Sequence, residues 1–333
     1  MPEAVTEFLN AECLLMTTIR QLGERALIKR LGRLLPQTRG VIVGIGDDCA
    51  IVRTVSDKSY DLVLTSDPVI EGVHFAAGEK PLLVGRKAAG RVLSDLAAVG
   101  AEPLWALVDL VAPADTPVTK IEGIYRGLAG MAGRHGLTIV GGDTAGGACL
   151  ELHVFAVGRV PHGRAILRSG AKPEDVVFVT GSLGGSRAGK HLRFEPRLAQ
   201  GQWIRARGAA SSMIDLSDGM ASDLRRVAEM SGTGALINLA GIPVSTEAMK
   251  GKGGRSPLSH ALFDGEDYEL LFTVPVRKAA ALERAWRTKF TTVRLSRVGS
   301  MTAGRGNVKC VGPDGRHTLL KDGGYEHFIG SDT

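Results

Sequence analysis

In the stretch VGIGDDCAIV (residues 43–52), Asp47 and Asp48 sit side by side, behind two glycines and between β-branched apolar runs. This reads as strand, turn, strand, with Gly44 and Gly46 permitting the turn. Charge taken out of water is costly unless it is paired or bound to a metal. The stretch therefore demands partners from elsewhere in the chain. The same pattern recurs. Asp67 ends LVLTSD, Asp95 lies in VLSDLAAVGAEP, Asp143 ends LTIVGGD, Asp215 and Asp218 lie in MIDLSDGM, and Asp267 lies in FDGEDYELLF. A single such aspartate is more often a cap or turn residue than a ligand. Asp95 and Asp218, each after a serine and before a helical pattern, fit that role. The recurrence over at least five segments fits it less well. Oxygen donors without His or Cys suit Mg²⁺ or a similar hard ion. Adjacent glycines let backbone N–H groups approach phosphates. The combination points to a nucleotide phosphate chain held by metal ions. No GxxxxGK[ST], GxGxxG or kinase catalytic loop is present, so the nucleotide site is of another kind.

Composition narrows the partners. The 333 residues suffice for two domains, and the hydrophobic fraction of 44% is that of a globular chain. The net charge of +6 is dispersed, without a long basic run or interleaved aromatics, so nucleic acid is not an expected partner. Cys13, Cys49, Cys149 and Cys310 are isolated and form no CxxC pair. A zinc or redox motif is not expected, and free thiols suit a reducing cytoplasm. No signal-peptide pattern opens the chain, and no apolar run reaches the ~18 residues of a membrane span. The expectation is a cytoplasmic protein with no membrane partner.

Residues 18–35 place Ile19, Leu22, Ala26, Leu27, Leu31, Leu34 and Leu35 at helical spacing, which predicts a core-facing helix with a basic outer face. Strands are expected at 41–45, 60–66, 104–110, 137–141 and 150–160, with helices near 81–99 and 117–135. A second block has strands at 176–180, 234–239 and 269–274, and helices near 219–231 and 277–288. The fold class is α/β, with strands and helices mixed in both halves. The expected division is an N-terminal helical extension over 1–36, a domain over 37–162 and a domain over 163–333. Residues 250–258, KGKGGRSPL, read as an exposed loop.

In chain order, GIGDDCA (44–50), TSDPVIEGVHF (65–75), LSDLAAVGAEP (93–103), GGDT (141–144), GRAILRSGAKPED (163–175), VTGSLGGSRAG (179–189), IDLSDGMASDL (214–224) and GEDYELLFTVP (265–275) resemble the motifs of the thiamine-monophosphate kinases. These enzymes lie in the superfamily of aminoimidazole ribonucleotide synthetase (PurM-like). The resemblance implies a two-domain α/β fold, an ATP cleft between the halves, and a homodimer formed through the N-terminal domains. It implies ATP and thiamine monophosphate as substrates, with several Mg²⁺ ions. The implied metal ligands are Asp48, Thr65, Ser66, Asp67, Asp95, Asp143 and Asp215, with Asp218 on a further ion. The implied ATP contacts are Tyr125, Gly142, Asp143, Arg168 and Ser217. Those to the acceptor are His74, Glu266 and Tyr325. Three features depart from the resemblance: Arg91 where Asn is usual, Asp264 where Gly is usual, and a shortened 182–212 segment.

The chemistry suits an acid-rich, base-poor site. A phosphate monoester has a second pKa of ~6 and is already largely dianionic near neutral pH. No side chain is needed as nucleophile or base. The task is to neutralise two polyanions and align them. Asp48 is expected to face the metal, and Asp47 to satisfy backbone donors or to support a ligand from behind. Glu266 is expected to suit the cationic thiazolium. The rival readings are another ATP-dependent synthetase of the superfamily, or a relative that binds ATP–Mg²⁺ without turnover.

Overall fold

A computed structural model describes residues 18–35, 39–251, 254–321 and 323–325. The chain divides into two units, Met1–Arg39 with Tyr325–Thr333, and Gly40–Gly324. In the first, α1 (Ile19–Leu22) opens with a capping box between Thr18 and Gln21. Gly23, at φ +77, separates it from α2 (Glu24–Gly32). The helix expected over 18–35 is thus two, because glycine at positive φ breaks the helical path. Neither contains a buried residue, and Ile19, Ile28, Leu31, Leu34 and Leu35 are exposed, which corrects the expected core-facing stripe. Residues 1–17 and 36–38, Cys13 included, lie outside the described residues.

The second unit begins with β1 (Val41–Val43), β2 (Ala50–Val52), β3 (Tyr60–Ile70), α3 (Pro81–Ala98), β4 (Glu102–Ala112), α4 (Val118–Arg134), β5 (Thr138–Gly141), β6 (Thr144–Gly146) and β7 (Glu151–Pro161). These strands form one seven-stranded sheet in the order β1-β2-β3-β7-β4-β5, with β6 also paired to β4. It is antiparallel except where β5 and β6 run parallel to β4. Burial alternates along β4 and β7, as a half-covered sheet requires. Ala106, Val108, Val154 and Ala156 are buried in the core, while Trp105, Leu107 and Phe155 stand exposed on the other face.

The chain continues through β8 (Val176–Thr180), α5 (Lys190–Arg193), α6 (Leu198–Arg207), β9 (Ser212–Asp215), α7 (Met220–Ser231), β10 (Gly234–Asn238), α8 (Thr246–Met249), α9 (Pro257–Phe263), β11 (Leu270–Val274), α10 (Val276–Lys289), β12 (Leu295–Thr302), β13 (Val308–Val311) and β14 (His317–Leu319). The second sheet has the order β14-β13-β10-β12-β8-β11-β9. Strands β8 and β11 are buried at every residue, so their sequences are apolar runs interrupted only by Thr180 and Thr273. Of the loop expected at 250–258, Lys252 and Gly253 lie outside the described residues, and Pro257 already begins α9. Among the described residues no helix is long and apolar enough to cross a membrane.

Helix α3 organises the unit. Val84, Ala88, Val92, Leu93 and Leu96 lie in a hydrophobic cluster that continues into Phe178 and Phe272 of the second sheet. It packs against α4 at backbone distance. A Cβ on Gly85 would stand 1.8 Å from the Ile124 carbonyl oxygen, and one on Gly127 would stand 1.9 Å from that of Leu82. Only glycines at both crossings let the two helices approach this far.

Candidate active site

Four polar side chains leave α3 at Lys87, Arg91, Ser94 and Asp95, spacings that share one helical face. Asp95 meets Asp48, from the β1–β2 connection, and Asp215, the last residue of β9. One carboxylate oxygen from each lies within 4.8 Å of the others. Gly46, at φ +122, makes the turn that delivers Asp48. Gly44 is not among the positive-φ residues. The Asp48 side chain is 1% exposed; Arg168 Nη2 donates to its Oδ1 at 2.7 Å, and its Oδ2 is buried without a hydrogen-bond partner. Asp95 accepts from Thr65 Oγ1 at 2.5 Å, and Asp215 accepts from Ser94 Oγ at 2.6 Å. Asp47 accepts from the backbone N–H groups of Asp48 and Arg168, the role expected of it.

The electrostatics follow from crowding. Burial, then repulsion from Asp67, Asp215 and Asp48, pushes the Asp95 carboxyl well above the usual carboxylate range. Burial and then Asp48 push Asp215 up to about 7. Burial and Asp48 also push Asp47 up to about 6, against the opposing Asp48 and Arg168 donors. Three converging carboxylates, with one buried oxygen unpartnered and no nitrogen or sulfur donor in the group, fit a hard divalent cation.

Beside this trio lies a second polar cluster. The fully buried Lys87 ammonium donates to Glu266 Oε1 at 2.5 Å and to the His74 carbonyl at 2.6 Å, and lies 2.9 Å from His191 Nδ1. Burial lowers the Lys87 pKa to about 8 despite Glu266. Glu266 is pulled down to about 2, with burial opposing and His191 and Lys87 prevailing. It sits at φ +65 and Tyr268 at φ +51, left-handed conformations that side chains other than glycine seldom take. Tyr268 stacks on Phe194 at 4.0 Å between ring centroids. His74 Nδ1 accepts from the Ile70 backbone, which leaves the neutral ring's proton on Nε2.

The same GEDYEL segment fastens the glycine-rich loop. Asp267 accepts from Gly184 N and Ser186 Oγ, and Glu269 receives both arms of Arg197 at 2.7 Å. Asp264 accepts from Gly185 N at 2.9 Å and pairs with Arg255 and His260. The departure at 264 therefore adds an anchor to that loop.

Other expected residues are placed differently. Asp67, on β3, is turned to Arg91 Nη2 at 2.7 Å and lies outside the trio. Ser66 is exposed on the same strand. Asp143 is exposed between β5 and β6, its Oδ1 accepting from Thr144 N while its own N–H donates to Asp109. Gly142 passes so close to β4 that a Cβ would stand 1.9 Å from the Val108 carbonyl oxygen. Tyr125, on α4, is half-buried, as is Ser217 after β9. Asp218 pairs with Arg226. Tyr325 is half-buried and belongs to the first unit. Neither Asp95 nor Asp218 caps a helix: Asp95 lies inside α3, and Gly219 occupies the capping position of α7. Sequence reasoning missed Lys87, Ser94 and His191. Lys87 and Ser94 were findable as polar residues on the face of α3 that carries Asp95.

Two sheets joined through α3, with acids from both halves converging beside it, define an α/β protein with an acid-lined site. Residues 46–160 match the family described as AIR synthase related protein, N-terminal domain. The thiamine-monophosphate kinase of Escherichia coli (strain K12) is 37% identical over 328 residues, covering 92% of this chain and 98% of its own. The solved structure described as AaThiL complexed with AMPPCP and TMP superposes with a TM-score of 0.79 at 31% identity, covering 94% of this chain and 99% of that one. The thiamine-monophosphate kinase from Stenotrophomonas maltophilia K279a superposes with a TM-score of 0.70 at 30% identity, covering 87% and 96%. This chain belongs to the thiamine-monophosphate kinase family.

The crowding has a consequence for pH. The Asp215 carboxyl holds its proton more tightly in the folded chain than in the unfolded one, where it titrates near 3.8. The stability it contributes is full below 3.8 and is lost as pH rises through about 7. Without divalent cations, the melting temperature is expected to fall between pH 5.5 and pH 8, and saturating Mg²⁺ to offset the fall at the upper end. A melting temperature in EDTA that stays level across this window contradicts the crowded-carboxylate reading.

Proposed function

We propose that this protein transfers the γ-phosphoryl group of ATP to thiamine monophosphate, giving ADP and thiamine diphosphate, by direct in-line displacement. The observation that carries the reading is the convergence of Asp48, Asp95 and Asp215, with a buried, unpartnered oxygen on Asp48. Asp48, Asp95 and Asp215 would hold Mg²⁺. Bound there, the metal supplies neutralisation of phosphate charge during transfer. Thr65 and Ser94 fix two of these carboxylates by hydrogen bonds. Arg168 reaches the trio through Asp48, and its buried Nε–H has no partner, which suits a phosphate oxygen. Tyr125, Gly142, Asp143 and Ser217 are assigned to ATP, and Thr65, Ser66, Asp143 and Asp218 remain proposed ligands of further ions, whereas Asp67, implied as a ligand by the resemblance, is paired with Arg91. His74, Glu266 and Tyr325 are assigned to thiamine monophosphate. The Lys87 ammonium already faces Glu266, so Glu266 offers the thiazolium a shared rather than a free charge.

A covalent phosphoenzyme is not part of this reading. Cys49 lies beside the acids, but burial, then Asp95 and Asp48, push its thiol well above its ordinary value, so it remains protonated and unreactive. We further propose domains over 37–162 and 163–333 after the 1–36 extension, and a homodimer through the exposed face of the first sheet. Trp105, Leu107 and Phe155 on that face support the dimer. The free thiols of Cys49, Cys149 and Cys310 suit a cytoplasmic setting.

Incubation with ATP, Mg²⁺ and thiamine monophosphate is expected to yield thiamine diphosphate and ADP in equal amounts by mass spectrometry. ADP without thiamine diphosphate, or no turnover, contradicts the assignment. For the dimer, sedimentation of Trp105→Glu is expected to show a monomer where the unaltered chain shows a dimer. A monomer for both chains at micromolar concentration disproves the interface.

A further inference from the structure

Arg91 brings a permanent positive charge into the site. It leaves α3 one turn before Asp95 and is largely buried. Its Nη2 donates to Asp67 Oδ1 at 2.7 Å, and its Nη1 lies 3.9 Å from Glu266 Oε1. Its Nε is buried without a hydrogen-bond partner. Asp67, though close enough to repel Asp95, is absent from the converging trio.

Guanidinium and metal are alternatives at one carboxylate oxygen; Asp48 also pairs with an arginine, through Oδ1, but keeps a buried, unpartnered Oδ2 beside the trio, whereas Asp67 is not among the three converging carboxylates. A Mg²⁺ ligand oxygen lies ~2.1 Å from the ion, and an N–H donor approaching the same lone pair would meet a second positive charge. An arginine does not escape the conflict by losing its proton. A neutral asparagine at 91 would leave Asp67 as a further uncompensated carboxylate beside the trio.

We propose that Arg91 is the resident cation of Asp67 and replaces a metal ion there, so that Asp67 contributes no metal ligand and the metal of Asp48, Asp95 and Asp215 is held without it. The inference rests on the reading of that trio as the metal site. Its consequence is a lower metal requirement, with one of the positive charges facing the phosphates built into the chain.

The test counts bound Mn²⁺ by electron paramagnetic resonance, on the full chain with saturating AMPPCP and thiamine monophosphate. The expected result is that Arg91→Asn binds about one Mn²⁺ more per chain than the unaltered protein, Asp67 then being free to ligate. Asp67→Asn alone is expected to leave the count unchanged, and the double variant to return to the original number. Arg91→Lys, which keeps the charge, is expected to hold the original count and guards against a folding defect in Arg91→Asn. Equal counts for Arg91→Asn and the unaltered chain overturn the inference, as does loss of one Mn²⁺ in Asp67→Asn. No Mn²⁺ on the unaltered chain overturns the trio reading itself and the inference with it.

Discussion

Three carboxylates brought together out of water are the constraint on which the rest of this structure depends. Asp48, Asp95 and Asp215 come from a turn, a helix and a strand end, and each loses solvation on arriving. Isolated buried carboxylates avoid that cost by taking protons. The direction of the shifts at Asp95 and Asp215 shows the chain under that pressure. On the proposed reading metal and nucleotide relieve it together, because a cation that satisfies the acids is also what two polyanionic substrates need in order to approach.

The scaffold distributes the charge. One face of α3 carries Lys87, Arg91, Ser94 and Asp95, and each points to a different partner: Glu266, Asp67, Asp215 and Thr65. These partners come from β3, from the end of β9 and from the GEDYEL segment, so the helix ties both sheets to one site. Its other faces are apolar apart from Arg86, and close contact with α4 through Gly85 and Gly127 fixes its position. Breaking a buried ion pair such as Lys87–Glu266 by removing one partner costs ~3–5 kcal/mol in comparable settings. The second cluster is therefore part of the stability of the site as well as its shape.

Much of this was legible in the sequence. Long periodic elements such as α3, α4 and β7 were readable from their patterns, and the acids were readable from the glycines and apolar runs beside them. β9 was not, because SMID is four residues without alternation and reads equally as the start of a helix. β12 was hidden by polar residues and by a register shift between Arg297 and Gly299. α6 has little amphipathic pattern, and its Gly201 serves close contact, a Cβ there standing 2.1 Å from the Ala97 carbonyl oxygen. Asp95 read as a cap because the Ser-Asp pair resembles one, whereas the helix runs on past it to Ala98. Lys87 and Glu266 lie 179 positions apart, and local pattern carries no information on such a pair.

The central claim is that the trio is crowded for a cation and not for the fold. Asp95→Asn tests it most directly, since an amide oxygen can still accept from Thr65 while one negative charge disappears. Melting is measured in EDTA and again with saturating Mg²⁺ and AMPPCP. The account predicts an unchanged or higher melting temperature in EDTA and a much smaller rise on adding the ligands. A variant that melts lower in EDTA yet keeps the full ligand-induced rise would make Asp95 a structural residue and contradict the account.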